Sequence, residues 1–204
     1  KAALNEVLAS GIIDYTNWNY KLPLYDPMCG SGTFLIEAAM KAINLPAGYF
    51  RRDYGFKLWL NYNEDLWNEV IVESNKKIQL NNTITLYGSD KIKENIDIAS
   101  DSFKKLNLNI KLKLNTKDIK KFNPLQTKGY IILNPPYGKR INNFNELNTI
   151  YSLIKEKMEP LLENYKVFLF TTNESKRYID LNFKSIVELQ NGPLKCSLLK
   201  LLPI

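Results

Sequence analysis

The sequence predicts an α/β fold with a doubly wound sheet, mostly parallel and ending in an antiparallel hairpin. Three observations predict it. A short apolar run, Leu22 to Tyr25, meets a glycine-rich turn and then helical spacing from Phe34 to Ile43. Strand-like and helix-like runs continue to alternate downstream, which brings parallel strands together through right-handed crossovers with helices on both faces. Asn191-Gly192 then separates two final strand-like runs, Phe183 to Leu189 and Leu194 to Leu202, a strong hairpin signal.

The elements follow in order. Lys1 to Ser10 has helical periodicity without a cap in front of it, so the chain is expected to begin inside an element. Leu22 to Tyr25 is a strand stopped by Asp26-Pro27. Leu45 to Asn63 breaks the pattern with Pro, Gly, aromatics and Arg51-Arg52-Asp53, and reads as an insertion after the first helix. Leu66 to Leu80 is helical. Thr83 to Tyr87 is a strand ending at Gly88-Ser89-Asp90, and a helix covers Ile92 to Leu106. A strand over Asn109 to Leu114 ends near Asp118. The apolar strand Tyr130 to Leu133 is bounded by Asn134-Pro135-Pro136, a helix spans Glu146 to Leu162, and Val167 to Phe170 is a buried strand.

At 204 residues the chain is expected to be one domain, residues 1–204. Hydrophobic residues at 45% and charged residues at 24% are ordinary for a globular protein, and no apolar run is long enough to span a membrane. There are two cysteines, Cys29 and Cys196, and no histidine. That composition excludes histidine acid/base chemistry, predicts no metal site, and fits a reducing cytoplasm. A net charge of +7 favours an acidic partner such as nucleic acid, although abundant Lys and Asn throughout the chain weaken that signal.

Two constellations carry chemistry. The first is Asp26-Pro27-Met28-Cys29-Gly30-Ser31-Gly32-Thr33, followed by Phe34. Its glycines let the backbone turn sharply and approach a ligand, and the turn delivers N–H groups at a helix start. A phosphate loop needs Lys-Ser/Thr after the second glycine, and a dinucleotide loop needs a third glycine; neither is present. A leading carboxylate repels phosphate and suits a cation, which favours S-adenosyl-L-methionine. Asp90 follows the second strand and can accept from ribose hydroxyls; Asp118 follows the third and can accept from the adenine amine. Each is alternatively a cap or turn residue. Cys29, inside the loop, reads as a packed small residue rather than a nucleophile.

The second constellation is Asn134-Pro135-Pro136-Tyr137 at the end of a strand. A nucleobase amine is a poor nucleophile because its lone pair is delocalised into the ring. Acceptors at the Asn134 side chain and the Pro135 carbonyl can hold it pyramidal, and the prolines stop them relaxing away. Tyr137 is expected to offer a stacking face to the base. Arg51, Arg52, Lys139 and Arg140 are candidates for phosphate contacts, with solvated surface or internal pairing as the alternative.

With DPMCGSGTF and NPPYGKR in view, the chain resembles the Rossmann-like class I methyltransferases. More closely it resembles the catalytic domain of the THUMP-associated RNA guanine-N2 methyltransferases, the RlmL-type enzymes of bacterial 23S rRNA. The likeness covers nearly the whole chain, including LNEVLAS, RRDYGFKLW at 51–59 and NGPLKCSLLK at 191–200. It implies seven strands with the last inserted antiparallel, and an RNA-binding THUMP domain upstream. It also implies Asp26, Gly30 and Gly32 at the methionine end of the cofactor, Asp90 at the ribose, Asp118 at the adenine, and Asn134 to Tyr137 around the base. Relatives follow the ribose-binding acid with an apolar residue and a second acid, whereas Lys91 and Ile92 stand here. The expected substrate is guanine N2 in RNA, rRNA ahead of tRNA. The alternatives are a DNA adenine-N6 enzyme, a protein glutamine methyltransferase and a silent RNA-binding subunit.

Overall fold

The chain forms strands β1 (Leu24–Asp26), β2 (Thr85–Asp90), β3 (Lys111–Thr116), β4 (Gly129–Leu133), β5 (Tyr165–Thr172), β6 (Phe183–Asn191) and β7 (Leu194–Leu201). The helices are α1 (Glu6–Tyr15), α2 (Thr33–Ala42), α3 (Glu64–Lys76), α4 (Lys93–Leu106) and α5 (Phe144–Met158). This is a computed structural model that describes residues 4–79, 84–137 and 144–203. The strands make one sheet in the order β3-β2-β1-β4-β5-β7-β6. Pairings among β1 to β5 are parallel, and β7 runs antiparallel between β5 and β6. The expected doubly wound, seven-stranded sheet with an inserted antiparallel strand is the observed fold.

Apolar strands occupy the centre. Every residue of β1 and β4 is buried, as a strand covered on both faces requires. One core contains Leu24, Leu86, Ile132 and Phe168 with Phe34, Leu35, Ala38 and Ala42 of α2. The other contains Ile131, Leu133 and Leu169 with Tyr151, Ile154 and Met158 of α5. Edge strand β3 alternates half-buried leucines with exposed Lys111 and Lys113, charges that discourage pairing with another chain.

Three expectations are corrected. Helix α1 does have a cap: it starts at Glu6, and Asn5 accepts from the Leu8 N–H through its side chain. Gly88-Ser89-Asp90 does not follow β2 but ends it, paired to Leu114, Asn115 and Thr116. The third helix stops at Lys76 instead of Leu80; Leu80 and Thr83 lie outside the described residues.

The insertion after α2 makes a projection together with α3. Its base is closed by the Gln79 N–H donating to the Ile43 carbonyl (2.8 Å) and Asn44 Nδ2 donating to the Lys77 carbonyl (3.1 Å). Tyr54, Phe56 and Trp67 form its own small aromatic cluster, with ring centroids 4.9–5.2 Å apart. No residue of α3 is buried.

Candidate active site

The sheet reverses its winding direction at β1, which lies between β2 and β4. Crossovers leave to opposite sides there, so the carboxyl ends of β1 and β4 border a crevice, the usual ligand position in such sheets. Both constellations stand at these strand ends. Asp26 is the last residue of β1 and Asn134 follows β4 directly. Leu24 pairs with Tyr130 and Tyr25 with Ile131. Asn134 therefore leaves its strand two residues, about 7 Å, beyond the level of Asp26.

The glycine loop is tied to itself and to β2. The Met28 N–H donates to Asp26 Oδ1 (3.2 Å), Cys29 N–H to the Ser89 carbonyl (3.0 Å) and Gly30 N–H to Asp90 Oδ2 (3.0 Å). Ser89 Oγ donates to the Pro27 carbonyl at 3.5 Å. Gly30 (φ +54°) and Gly32 (φ +82°) are both left-handed, so glycine is favoured at each. They differ in what lies above them. A Cβ on Gly32 would sit 2.9 Å from Ala99 Cβ, whereas a Cβ on Gly30 would meet nothing within 4 Å. Gly30 thus faces open space and Gly32 packs on α4.

These bonds revise the expectation of free amides: Met28, Cys29, Gly30 and Gly32 already donate within the protein. Ser31 and Thr33 are half-buried at the start of α2, whose cap residue Gly32 makes no side-chain bond. Phe34, expected at the cofactor, stands on the first turn of α2 with its side chain packed in the core.

Asp26 is 1% exposed, and burial with Asp90 nearby pushes its carboxyl up to about 8, against the pull of the Met28 amide. Burial also pushes the Cys29 thiol well up, with Asp26 and Asp90 adding to the effect, so it is no nucleophile. Asp90 is held by three donors: Gly30 N–H, Ile92 N–H (2.9 Å) and Asn95 Nδ2 (3.1 Å). A carboxylate has about four acceptor positions, so one remains for a hydroxyl. Lys91 is exposed, and Ile92 serves through its backbone. Asp118 caps a 3₁₀ helix over Ile119–Lys121, accepting from the Lys120 N–H at 2.8 Å.

In the tetrapeptide, Pro135 is buried and Pro136 half-buried. Asn134 Oδ1 is buried without a hydrogen-bond partner. Tyr137 does not present the open stacking face expected of it: its ring is buried edge-on against Phe170, and its hydroxyl accepts from Asn191 Nδ2. Of the phosphate candidates, Arg51 donates from Nε to the Asp53 carbonyl and lies over the Tyr54 ring, while Arg52 is exposed. Lys139 and Arg140 lie outside the described residues. Asn95, which donates to Asp90, and Phe170, which seats the Tyr137 ring, stand in no sequence motif that points to the site. Asn191 stood in the closing motif but signalled only a turn.

A family model described as UPF0020, RMKL-like, methyltransferase domain, matches residues 1–200, and the chain belongs to that family. It is 34% identical over 203 residues to the proposed RNA methyltransferase slr0064 of Synechocystis sp. (strain ATCC 27184 / PCC 6803 / Kazusa), covering 98% of this chain and 52% of that protein. Among solved structures it is similar to SMU.472, a proposed methyltransferase complexed with SAH. The TM-score is 0.86 and the identity 30%, over 100% of this chain and 54% of that one. A proposed methylase from Clostridium difficile 630 matches with the same TM-score, identity and coverage. The chain thus spans about half the length of these relatives. Among its described residues no helix is long and apolar enough to cross a membrane.

Proposed function

We propose that this methyltransferase domain uses S-adenosyl-L-methionine to methylate the exocyclic amine of a nucleobase, guanine N2 in RNA, with 23S rRNA ahead of tRNA. The carrying observation is Asn134 Oδ1, a buried acceptor without a partner. Leaving such an atom unpaired costs about 1–3 kcal/mol. An amine N–H from a bound base restores that bond, and the Pro135 carbonyl is the second acceptor.

The residues present fit the cofactor. Asp26 is a buried carboxyl suited to an ammonium group, Gly30 leaves room where a side chain would intrude, and Asp90 keeps acceptor capacity for ribose. Asp118 is the adenine-side acceptor. When bound, the cofactor supplies an electrophilic methyl group on its sulfonium. The protein orients the amine towards it: Asn134 and Pro135 hold the N–H groups so that the nitrogen lone pair is freed from the ring. Positioning and electrostatics suffice, with no covalent enzyme intermediate.

RNA is favoured by the net charge of +7, by the 51–59 and 191–200 segments that resemble the guanine enzymes, and by the Synechocystis relative's name. The test is transfer of tritiated methyl to unmodified rRNA, tRNA or duplex DNA, followed by nucleoside analysis. Label in N2-methylguanosine is expected, and Asn134→Ala is expected to cut transfer about 100-fold or more. Label only in N6-methyldeoxyadenosine would replace guanine in RNA by adenine in DNA, and full turnover by Asn134→Ala would remove the amine-holding role.

A further inference from the structure

The closing motif begins at Asn191, and this first residue touches the tetrapeptide. Asn191 Nδ2 donates to the Tyr137 hydroxyl at 3.0 Å, across 54 residues of sequence. Asn191 ends β6 and pairs with Leu194, and Gly192 turns the hairpin with φ +57°. The amide is therefore delivered from a tight, sheet-anchored turn. The Tyr137 ring meets Phe170 of β5 at 81° with centroids 6.2 Å apart. A ring seated at its edge and bonded at its hydroxyl behaves as an anchor.

We propose that Asn191 is a positioning residue for amine methylation: it pins Tyr137 and, through Tyr137, fixes the Asn134 and Pro135 acceptors at the end of β4. The proposal rests on the amine-methylating function above. Leu133 is held in the sheet opposite Leu169, and only Asn134, Pro135 and Pro136 separate it from Tyr137. Two of those three have φ fixed by the pyrrolidine ring. With both ends held, little freedom remains for the acceptors, and small misplacements of reacting groups are expensive in rate. Releasing the hydroxyl removes one of the restraints on that end while the ring stays seated, so the loss falls on turnover.

The experiment compares Tyr137→Phe, Asn191→Ala, their combination and Asn191→Asp with the wild type. Turnover is measured with tritiated S-adenosylmethionine on unmodified 23S rRNA, tRNA or duplex DNA, and S-adenosylhomocysteine affinity by calorimetry. Each single change is expected to lower kcat about tenfold, the scale of one lost hydrogen bond. The combination is expected to fall no further than either alone, with KM and S-adenosylhomocysteine affinity held within about twofold. Asn191→Asp is expected to recover the rate, because the phenol then donates to the carboxylate. Tyr137→Phe keeps the ring seated, so it tests the hydroxyl even if Asn191→Ala folds poorly. Wild-type rates in both single variants, or losses that multiply in the combination, would overturn the positioning role provided Asn134→Ala is inactive. Full activity of Asn134→Ala, or label in none of the three substrates, would overturn the underlying function and this role with it.

Discussion

Gly30 and Asp90 lie 60 residues apart in sequence, and the backbone N–H of the first donates to Oδ2 of the second at 3.0 Å. The residue expected at the ribose therefore also holds the shape of the loop expected at the methionine. Replacing Asp90 by Ala removes the acceptor of Gly30, Ile92 and Asn95 together. We expect S-adenosylhomocysteine affinity to weaken by about 1–3 kcal/mol or more, since each lost charged acceptor is of that order. Calorimetry that finds wild-type affinity would remove Asp90 from both roles.

The two loop glycines separate binding from stability. Gly30→Val places a side chain in open space and costs about 1–2 kcal/mol in left-handed backbone strain. The fold should survive while cofactor binding is lost. Gly32→Ala drives a Cβ into Ala99 as well as straining φ, so the unfolding midpoint itself should fall. Thermal unfolding and calorimetry on both variants check the split; identical behaviour would contradict it.

Asp26 predicts a pH dependence with a definite sign. Its carboxyl is raised to about 8 by burial, so it carries a proton in the free protein at neutral pH. An ammonium ligand needs the ionised form, so binding must release that proton. The dissociation constant of S-adenosylhomocysteine should fall about tenfold per pH unit as pH rises towards 8, then level off. The raised value also means that the contribution of Asp26 to stability is complete below the unfolded carboxyl's pKa. That contribution is lost as pH rises through about 8. Calorimetry across that window is the measurement, and Asp26→Asn should flatten the curve. A slope unchanged in Asp26→Asn would assign the proton to another group.

Asn134→Ala should uncouple stability from activity. The substitution removes a buried acceptor that has no partner in the free protein, so the unfolding midpoint should stay level or rise even as turnover collapses. A midpoint lowered by several degrees would mean that the side chain serves the fold.

The parts legible in the sequence were those written locally. The apolar run of β4 ends at Leu133, and Asn134 to Tyr137, with its two prolines, follows directly. The turn after β1 needs its glycines for φ, and the sequence has them there. Other features depend on partners far along the chain. Gly88-Ser89-Asp90 has turn chemistry, yet β3 pairs all three into the sheet, and a Cβ on Gly88 would come within 2.7 Å of both Leu35 and Leu114. The Asn5 cap was hidden because helical periodicity runs through it. Phe34 follows the glycines directly, and the turn of α2 rotates its side chain into the core, which the glycine motif does not reveal. No pattern within the tetrapeptide could disclose that Tyr137 is bonded from the last hairpin.

The hydrogen-bonded base of the projection has a consequence for how this chain can vary in length. Ile43 and Gln79 are held together, so what lies between them is a closed loop whose two ends already meet. Doubling the length of a flexible loop costs only about 0.6 kcal/mol. Residues could accordingly be added to the loop or removed from it, down to a short turn, without asking the sheet to move. The strand ends that carry Asp26, Asp90 and Asn134 belong to elements outside that loop. The projection can thus change in length without displacing those strand ends, while the 51–59 segment it carries would bear on substrate choice rather than on the placing of the three side chains.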